Sequence, residues 1–351
     1  MIKLGNLNLP VNFDDKLVLS TIADKLGVPK KAIISFEFAR LSVDARKKQN
    51  VCYNASINII LNQKIANEND IIKKNKKLNI TLVTPYQYPI RKITNTGISP
   101  VIVGAGPAGL FCGLILAQSG MCPIIIERGK SVEERQKDVE IFWSTGVLNT
   151  NSNVQFGEGG AGTFSDGKLN TGTKDSRGKK VLSEFVKHGA PKEIMYNAKP
   201  HIGTDNLPVA VKNIRNEIIS LGGKVMFETT LTDIIIKNNE VKGIVVNTRN
   251  REEKIDCNNL VLALGHSARD TFEKLKILGI PMEQKPFSVG ARIEHLQCEI
   301  NKSQYGNFAG KGNLGAADYK LAVHLNNGRG VYTFCICGKS YKHSEISFIT
   351  L

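Results

Sequence analysis

The 351-residue chain lacks any long uninterrupted apolar run. No window reaches the ~18 consecutive apolar residues that a membrane-spanning helix requires. Its first residues, MIKLGNLNLPVNFDDK, contain two early aspartates and no apolar core of a secretory signal. The seven cysteines are odd in number and scattered, which argues against a disulfide framework. These absences predict a cytoplasmic protein with reduced thiols and no membrane partner.

Patterns typical of metal sites and hydrolases are also missing. The six histidines are dispersed, and no two have the H-x-x-x-H spacing of zinc ligands, so no metal site is predicted. Cys335 and Cys337 form a C-x-C pair without neighbouring His or Cys clusters, which favours a structural or incidental role. A Ser–His–Asp arrangement cannot be inferred from residue order, so we predict no hydrolase.

Positive charge is in excess and unevenly placed. Residues 1–95 hold 16 Lys and Arg against 7 Asp and Glu, whereas the remaining 256 residues hold 31 against 25. A basic front segment can attract nucleic acid, but it can equally keep the protein soluble. Few aromatic side chains accompany the charge beyond Phe36, Phe38 and Tyr53, so nucleic acid is the less favoured partner.

The first 92 residues alternate apolar and polar positions in the order of a small α+β domain. Residues 1–9 and two segments from 31 to 61 have the period of strands, and residues 13–28 have apolar residues at helical spacing. A short helix and a last strand, LNITLVTPY, complete the order βαββαβ. This order predicts a ferredoxin-like domain. The tract before residue 101 has no period and reads as a linker.

From residue 101 the sequence reads strand, glycine turn, helix and strand: VIVGAGPAGLFCGLILAQSGMCPIIIERG. Gly104 permits a tight turn, Gly106 lets a pyrophosphate approach the backbone, and Gly109 lets the helix pack closely on the strand. The helix N-terminus favours a diphosphate. Glu127 ends the second strand, where a carboxylate can bind ribose hydroxyls and would repel a 2′-phosphate. The motif predicts a dinucleotide other than NADP.

Two further glycine-containing segments accompany this motif. The block VQFGEGGAGTFSDGKLNTG (154–172) has many glycines, which cost backbone entropy and add nothing to a core. Such a block indicates close approach of the backbone to a flat cofactor or an anion. The rest of the middle region, 131–220, reads as irregular. After it, residues 224–259 have the pattern of a β-meander, and LVLAL (260–264) reads as a fully buried strand that ends at Gly265.

Three residues are candidates for chemistry, although none is assigned a role. Lys168 lies in the second glycine block beside Ser165 and Asp166, and His266 follows Gly265 at the end of the buried strand. Arg292 lies on a predicted strand, where it would share a face with Glu294.

Taken together, VIVGAGPAGL, IIIERG, FGEGGAGTFSDGKL, LVLALGHSARDTF, FSVGARIEH and GVYTFCIC resemble the uncharacterised FAD-dependent dehydrogenases, which are two-dinucleotide-fold flavoproteins. The resemblance runs from about residue 30 to 337. It implies that FAD is the dinucleotide and that the second glycine block lies along the flavin. The family continues beyond FCIC with P-G-G, whereas here GKSYKHSEISFITL follows, which suggests a truncated or frame-shifted end and a flavin site lacking one wall.

The predicted fold class is therefore α/β, with an FAD-binding Rossmann-like domain (βαβ plus β-meander), an inserted second domain and the N-terminal ferredoxin-like domain. The predicted domains are 1–92, a linker at 93–100, a discontinuous FAD domain at 101–165 and 220–285, a substrate domain at 166–219 and 286–337, and an atypical tail at 338–351.

The predicted function is an FAD-dependent oxidoreductase that acts on a small-molecule substrate between the FAD domain and the substrate domain. No second G-x-G-x-x-G is present, so any NAD(P)H would bind transiently. Three alternatives stay open: an NAD-dependent dehydrogenase using the same glycines, an FAD-containing RNA-associated protein, and a non-catalytic remnant. The residues expected to hold the cofactor are Gly104, Gly106, Pro107, Ala108, Gly109, Glu127, Arg128, Gly157, Gly159, Gly160, Gly162, Thr163 and Gly265.

Overall fold

The structure is a computed structural model that describes residues 1–94, 97–164, 167–169, 173–338 and 345–350. The chain forms two compact units. Unit 1 comprises Met1–Pro85, Met195–Pro200 and Lys285–Leu351, and unit 2 comprises Tyr86–Ile194 and His201–Gln284.

Unit 1 begins with a four-stranded antiparallel sheet in the order β2-β3-β1-β4. Both the element order and the strand order are those of a ferredoxin-like fold, so the prediction for this segment is confirmed. Its elements are β1 (Ile2–Pro10), α1 (Asp15–Leu26), β2 (Ile33–Asp44), β3 (Cys52–Leu61), α2 (Glu68–Lys74) and β4 (Ile80–Leu82).

Local sequence explains these elements. Alternate residues of β1 and β3 are buried, among them Leu4 and Ile57, and they pack with apolar residues of α1 such as Ile22 in one core. Helix α1 begins at Asp14, whose side chain accepts a hydrogen bond from the Leu17 N–H at 2.8 Å. It ends at Gly27 in the left-handed conformation, φ 67°.

Unit 2 contains a parallel sheet in the order β11-β5-β6-β7 and an antiparallel meander in the order β10-β9-β8. This confirms the predicted Rossmann-like plan of a βαβ unit plus a β-meander. The elements are β5 (Val101–Val103), α3 (Pro107–Gln118), β6 (Ile124–Ile126), α4 (Val132–Thr145), α5 (Gly178–Lys187), α6 (Asn206–Ser220), β7 (Lys224–Met226), β8 (Thr229–Lys237), β9 (Glu240–Thr248), β10 (Arg251–Asp256), β11 (Leu260–Leu262) and α7 (Arg269–Ile277).

Two strand predictions in unit 2 are corrected by the structure. The segment Lys224–Met226 pairs in parallel with β6 and so belongs to the parallel sheet rather than to the meander. The strand Leu260–Leu262 is not fully buried: the exposed fractions of Val261 and Leu262 are 36% and 37%. The physical reason is position, since within the described residues β11 lies at the edge of its sheet.

The middle region is not irregular as predicted, because it contains α4, α5 and α6. Apolar residues of α5 and α6, including Phe185, Val211 and Ile218, pack in one core with Ile102 and Leu114 of the βαβ unit. Most of the predicted 166–219 part of the substrate domain therefore lies in unit 2, which differs from the predicted domain boundaries.

The rest of unit 1 forms a second four-stranded sheet in the order β12-β15-β14-β13. Its elements are β12 (Gly290–His295), α8 (Gln297–Tyr305), β13 (Ala322–His324), β14 (Gly330–Gly338) and β15 (Glu345–Thr350). Among the described residues, no helix combines the length and apolar character needed to cross a membrane.

Candidate dinucleotide site

A cavity of ≈ 580 Å³ lies in unit 2, where strands β5, β6 and β11 end. The last residues of these strands, Val103, Ile126 and Leu262, line it. The carboxyl edge of a parallel sheet is where doubly wound folds bind ligands. Its volume is that of a small-molecule or cofactor site.

The first and third glycines of the 104–109 motif are required by the protein itself. Gly104 has φ 104°, and a Cβ built on it would lie 2.4 Å from the carbonyl oxygen of Ala263. A Cβ on Gly109 would lie 1.8 Å from the carbonyl oxygen of Gly104. These two glycines therefore allow β5, β11 and α3 to pack at close range, as the motif predicted.

Gly106 is different, because no contact among the described residues requires a glycine there. Its φ of −71° is accessible to any residue, and the nearest atom to an added Cβ is the Gly160 Cα at 3.9 Å. Gly106 lines the cavity and caps the N-terminus of α3, with Pro107 at the first helical position. The missing side chain leaves room at a helix N-terminus for a group outside the protein.

Glu127 is buried, with 6% of its surface exposed, and it lines the cavity. One carboxylate oxygen accepts the Ala105 N–H at 2.8 Å, and the other accepts the N–H groups of Gly129 at 2.9 Å and Gly157 at 3.1 Å. A carboxylate has about four acceptor positions, so one remains for a ribose hydroxyl. Glu127 thus also ties the two glycine segments together, which the sequence did not reveal.

Arg128 lines the cavity and connects two of its walls. Its Nη2 donates to both carboxylate oxygens of Asp270, at 2.8 and 2.9 Å, and to the Thr271 hydroxyl at 3.2 Å. Its guanidinium carbon lies 4.8 Å from the centroid of the Phe156 ring. The predicted cofactor residue therefore holds α7 and the second glycine block beside the cavity.

The second glycine block packs against the first. The Gly159 N–H donates to the Ala105 carbonyl at 2.8 Å, and a Cβ on Gly160 would lie 3.0 Å from Pro107 Cδ. Gly157, Gly159 and Gly160 all have positive φ, at 120°, 82° and 69°. The turns formed by the two separate glycine tracts therefore pack directly against each other.

The predicted cofactor residues divide by their position. The residues among them that line the cavity are Gly104, Gly106, Pro107, Ala108, Glu127, Arg128, Gly157, Gly160 and Gly265. Gly109, Gly159, Gly162 and Thr163 lie outside its lining as described. Thr163 is fully buried, and its hydroxyl donates to the Glu158 carbonyl at 3.4 Å, so its visible role is to hold the glycine block.

Arg135 was missed by the sequence analysis, although it organises this block. It is fully buried on α4. Its guanidinium donates to the carbonyl oxygens of Asn153, Val154 and Glu158 at 2.8, 2.9 and 2.6 Å, with a longer contact of 3.4 Å to Gly157. Burial lowers the pKa of Arg135 to about 10. An arginine 8 residues after Glu127 gives no periodic signal, so only the fold could identify it.

Glu158, also missed, is a fully buried acid inside the glycine block. One of its carboxylate oxygens accepts the Val132 N–H and an N–H of Arg215, each at 2.8 Å. Its other oxygen is buried and has no hydrogen-bond partner among the described residues. Burial raises the pKa of Glu158 to about 7, although the charge of Arg215 opposes the shift.

Arg215 links this acid to the protein surface. It also donates to Glu133, at 2.8 and 3.2 Å. Burial raises the pKa of Glu133, but the hydrogen bonds from Arg215 and Lys212 outweigh it and bring that pKa to about 2. Glu133 and Glu158, together with the buried Arg135 and Arg215, thus form a hydrogen-bond network that supports the second glycine block.

The opposite part of the cavity is apolar, and it lies in the predicted FAD domain, although its lining residues were not among the predicted cofactor residues. Leu231 of β8, Phe272 and Leu275 of α7, and Met282 line it. Apolar side chains around a few polar groups are typical of sites that bind flat ring systems.

Of the three catalytic candidates, His266 alone belongs to the lining of the cavity among the described residues. His266 lines the cavity and is exposed, with its Nδ1 3.1 Å from the Ser267 hydroxyl. Lys168 forms an isolated antiparallel β-bridge with His201 through the backbone and is not among the residues that line the cavity. Ser165 and Asp166 lie outside the described residues. Arg292 lies on β12 in unit 1; its side chain and that of Glu294 lie outside the described residues.

Two family models match parts of the chain. Residues 286–340 match a family described as FAD-dependent protein, C-terminal domain-like, and residues 1–60 match a domain of unknown function. The first description names FAD dependence, in agreement with the predicted cofactor. Both matches lie outside the 101–284 segment that carries the cavity.

A curated relative is an uncharacterized protein of Clostridium beijerinckii, 44% identical over 339 residues, which are 96% of this chain. The chain spans 62% of that relative's length.

Solved structures with similar folds include two flavoproteins. The glycerol-3-phosphate dehydrogenase of Bacillus halodurans, in complex with FAD, has a TM-score of 0.41 at 10% identity, over 72% of this chain and 47% of that one. A flavoprotein/dehydrogenase of Cytophaga hutchinsonii has a TM-score of 0.37 at 15% identity, over 72% and 56%.

A third solved structure is the THI4 protein of Thermovibrio ammonificans. It has a TM-score of 0.37 at 21% identity, over 52% of this chain and 64% of that one. All three likenesses are too distant to carry functional detail.

Proposed function

We propose that this protein is a flavoprotein oxidoreductase that binds FAD in the cavity of unit 2, and that it acts as a dehydrogenase on a small-molecule substrate. When bound, FAD supplies an isoalloxazine that exchanges a hydride or electrons with a substrate. The chain's own residues bind the cofactor, orient it and limit its exposure to water.

The observation that carries the proposal is Gly106. The fold needs glycine at 104 and 109 for its own packing, whereas an added Cβ at 106 would lie 3.9 Å from the nearest atom of the described residues. Because Gly106 caps α3 and lines the cavity, the space that it leaves suits a diphosphate on the helix N-terminus. Glu127, beside it, has one acceptor position left for a ribose hydroxyl.

FAD rather than NAD is favoured by two features. The description of the family model matched at 286–340 names FAD dependence. A cavity bordered by a second glycine segment, at Gly157 and Gly160, also extends the backbone surface available to a larger cofactor. Glu127 disfavours a 2′-phosphate, so we expect no binding of NADP at these glycines.

Purification followed by absorbance spectroscopy tests the proposal directly. We expect flavin bands near roughly 370 and 450 nm, either as isolated or after incubation with FAD. A colourless protein that takes up NAD instead would favour the NAD-dependent alternative. A protein that takes up neither cofactor would overturn the proposal.

The first prediction separates the ligand from the fold. Gly106→Val should leave the thermal stability of the apoprotein nearly unchanged, because the backbone conformation is ordinary and an added Cβ lies 3.9 Å from the nearest atom of the described residues. It should weaken FAD binding by at least about 100-fold, because the side chain takes the space of the diphosphate. FAD titration followed by fluorescence measures this.

The matched control is Gly178→Val. Gly178 begins α5 in the same unit, has no positive φ, has no atom within 4 Å of an added Cβ, and does not line the cavity. Normal FAD binding by G106V, or an equal loss in G178V, would show that the diphosphate is misplaced.

A further inference from the structure

Away from the dinucleotide cavity, two helices of unit 2 bring a histidine and two carboxylates together. Glu184 lies on α5, His188 follows that helix, and Glu217 lies on α6. One ligand atom from each, a ring nitrogen and two carboxylate oxygens, lie within 4.8 Å of one another. Glu184 and His188 are each 4% exposed, so this cluster is not a solvated patch.

Both ring nitrogens of His188 lie beside acceptor oxygens, and a neutral imidazole can donate to only one of them. Its Nδ1 lies 2.6 Å from the Glu184 carbonyl oxygen, an acceptor, so Nδ1 carries the hydrogen of a neutral ring. Its Nε2 then has only a lone pair, yet it lies 2.8 Å from a carboxylate oxygen of Glu217. A lone pair of Nε2 and a carboxylate oxygen would repel each other at 2.8 Å unless a proton or a metal ion lies between them.

Glu184 distinguishes these two choices. Its Oε1 accepts hydrogen bonds from Lys180 at 2.5 Å and from Gln118 at 3.2 Å. Its Oε2 is buried, lies 3.6 Å from His188 Nδ1, and has no hydrogen-bond partner among the described residues. A second proton on His188 would make this oxygen an ion-pair partner at 3.6 Å but would still leave it without a hydrogen bond, whereas a metal ion between the three side chains would bind it directly.

We propose that Glu184, His188 and Glu217 form a site for a zinc-like divalent cation that ties α5 to α6. One imidazole nitrogen and two carboxylate oxygens are ligands that Zn²⁺ accepts, and they leave a fourth position for water. Zinc bonds of about 2.0–2.2 Å place ligand atoms roughly 3–4 Å apart, close to the span of this cluster. The site is independent of the dinucleotide cavity and of the proposed function.

Two lysines already stand beside the carboxylates, and they define how the site would fill. Lys187 donates to both oxygens of Glu217, at 2.8 and 2.6 Å, but its side chain is 56% exposed and free to turn into solvent. Lys180 binds Glu184 through Oε1 only and leaves Oε2 for the metal. Lys187 is therefore the cation that competes with the metal for Glu217.

The test uses the full-length protein, stripped with a chelator and titrated with Zn²⁺ by calorimetry. We expect binding at one equivalent and a higher thermal midpoint with Zn²⁺ present. His188→Gln and Glu184→Gln, which keep side-chain size, should each weaken binding by at least about tenfold. His324→Gln, at an exposed histidine of β13, should bind Zn²⁺ as the wild type does.

Lys187→Met keeps the proposal testable even if the other variants are unstable. Removing the competing cation should tighten Zn²⁺ binding if the metal displaces Lys187. Absence of binding at one equivalent, unchanged affinity in H188Q and E184Q, or weaker binding in K187M would each overturn the proposal. FAD uptake is measured separately on the same samples, so failure of the zinc site does not bear on the flavin site.

Discussion

Some residues of the dinucleotide motif are needed for the packing of the fold, and others leave space for a ligand. Gly104 and Gly109 have no room for a side chain, whereas a Cβ at Gly106 would lie 3.9 Å from the nearest atom of the described residues. Glu127 does both, because three backbone N–H groups bind it while it still faces the cavity. Substitutions at these positions therefore separate stability from cofactor binding.

Glu158 gives a pH-dependence at the residue scale. Its pKa is raised by burial to about 7 in the folded protein, from the ordinary value of 4.5. Between these values the folded protein holds a proton that the unfolded chain releases, so the contribution of Glu158 to stability is fully present below pH 4.5 and is lost as the pH rises through about 7. This contribution is at most roughly 3 kcal/mol.

We expect Glu158→Gln to flatten this part of the pH profile. The amide oxygen can still accept the Val132 N–H, and Arg215 keeps its bonds to Glu133, so the fold is retained. Denaturant unfolding at several values between pH 4.5 and 8 measures it. Glu252→Gln, an exposed acid on β10, is the control and should keep the wild-type profile. An unchanged slope in E158Q would contradict the assignment.

At the scale of elements, helix α4 acts as the support of a loop. Its buried Arg135 binds carbonyl oxygens from residues 153 to 158, and part of that loop, Gln155 to Gly157, lines the cavity. Since the loop has several glycines and little apolar core, these hydrogen bonds replace packing as the source of its order.

We expect Arg135→Met to destabilise the protein by roughly 3 kcal/mol or more, because several buried carbonyl groups lose their donor at once. FAD affinity should fall as well, since the loop no longer holds Gly157 beside Glu127. Thermal unfolding and FAD titration measure the two effects. Lys137→Met, an exposed residue on the same helix, should change neither. Full stability and full FAD affinity in R135M would refute this role.

At the scale of the whole molecule, the two units have cores of their own. The N-terminal sheet of unit 1 encloses one set of apolar residues, and the parallel sheet of unit 2 packs two others on its faces. The dinucleotide cavity is lined by unit 2 alone. A ligand of this cavity should therefore stabilise unit 2 selectively.

Calorimetry should show this selectivity. With FAD at about 100 times its Kd, the transition of unit 2 should rise by roughly 5–10 °C while that of unit 1 stays in place. In G106V the shift should disappear. One transition that moves as a whole with FAD, or an FAD shift that persists in G106V, would contradict the prediction.

Much of the plan was predictable because it depends on local pattern. The alternation of β1 and β3, the glycine turn before α3 and the hairpin turn at Asn238 and Asn239, both with positive φ, are properties of short segments. The edge position of β11 was not predictable, since an apolar triplet reads the same in the centre of a sheet as at its edge.

The ferredoxin-like order, the βαβ unit with its meander and the dinucleotide motif ending in an acid could all be read from the order of the residues. The packing of the chain was needed to find which glycine leaves space for a ligand, that Glu127 joins the two glycine tracts, and that Arg135 and Glu158 support them. Backbone turns follow from neighbouring residues, whereas hydrogen bonds between segments 20 to 60 residues apart depend on how the helices pack.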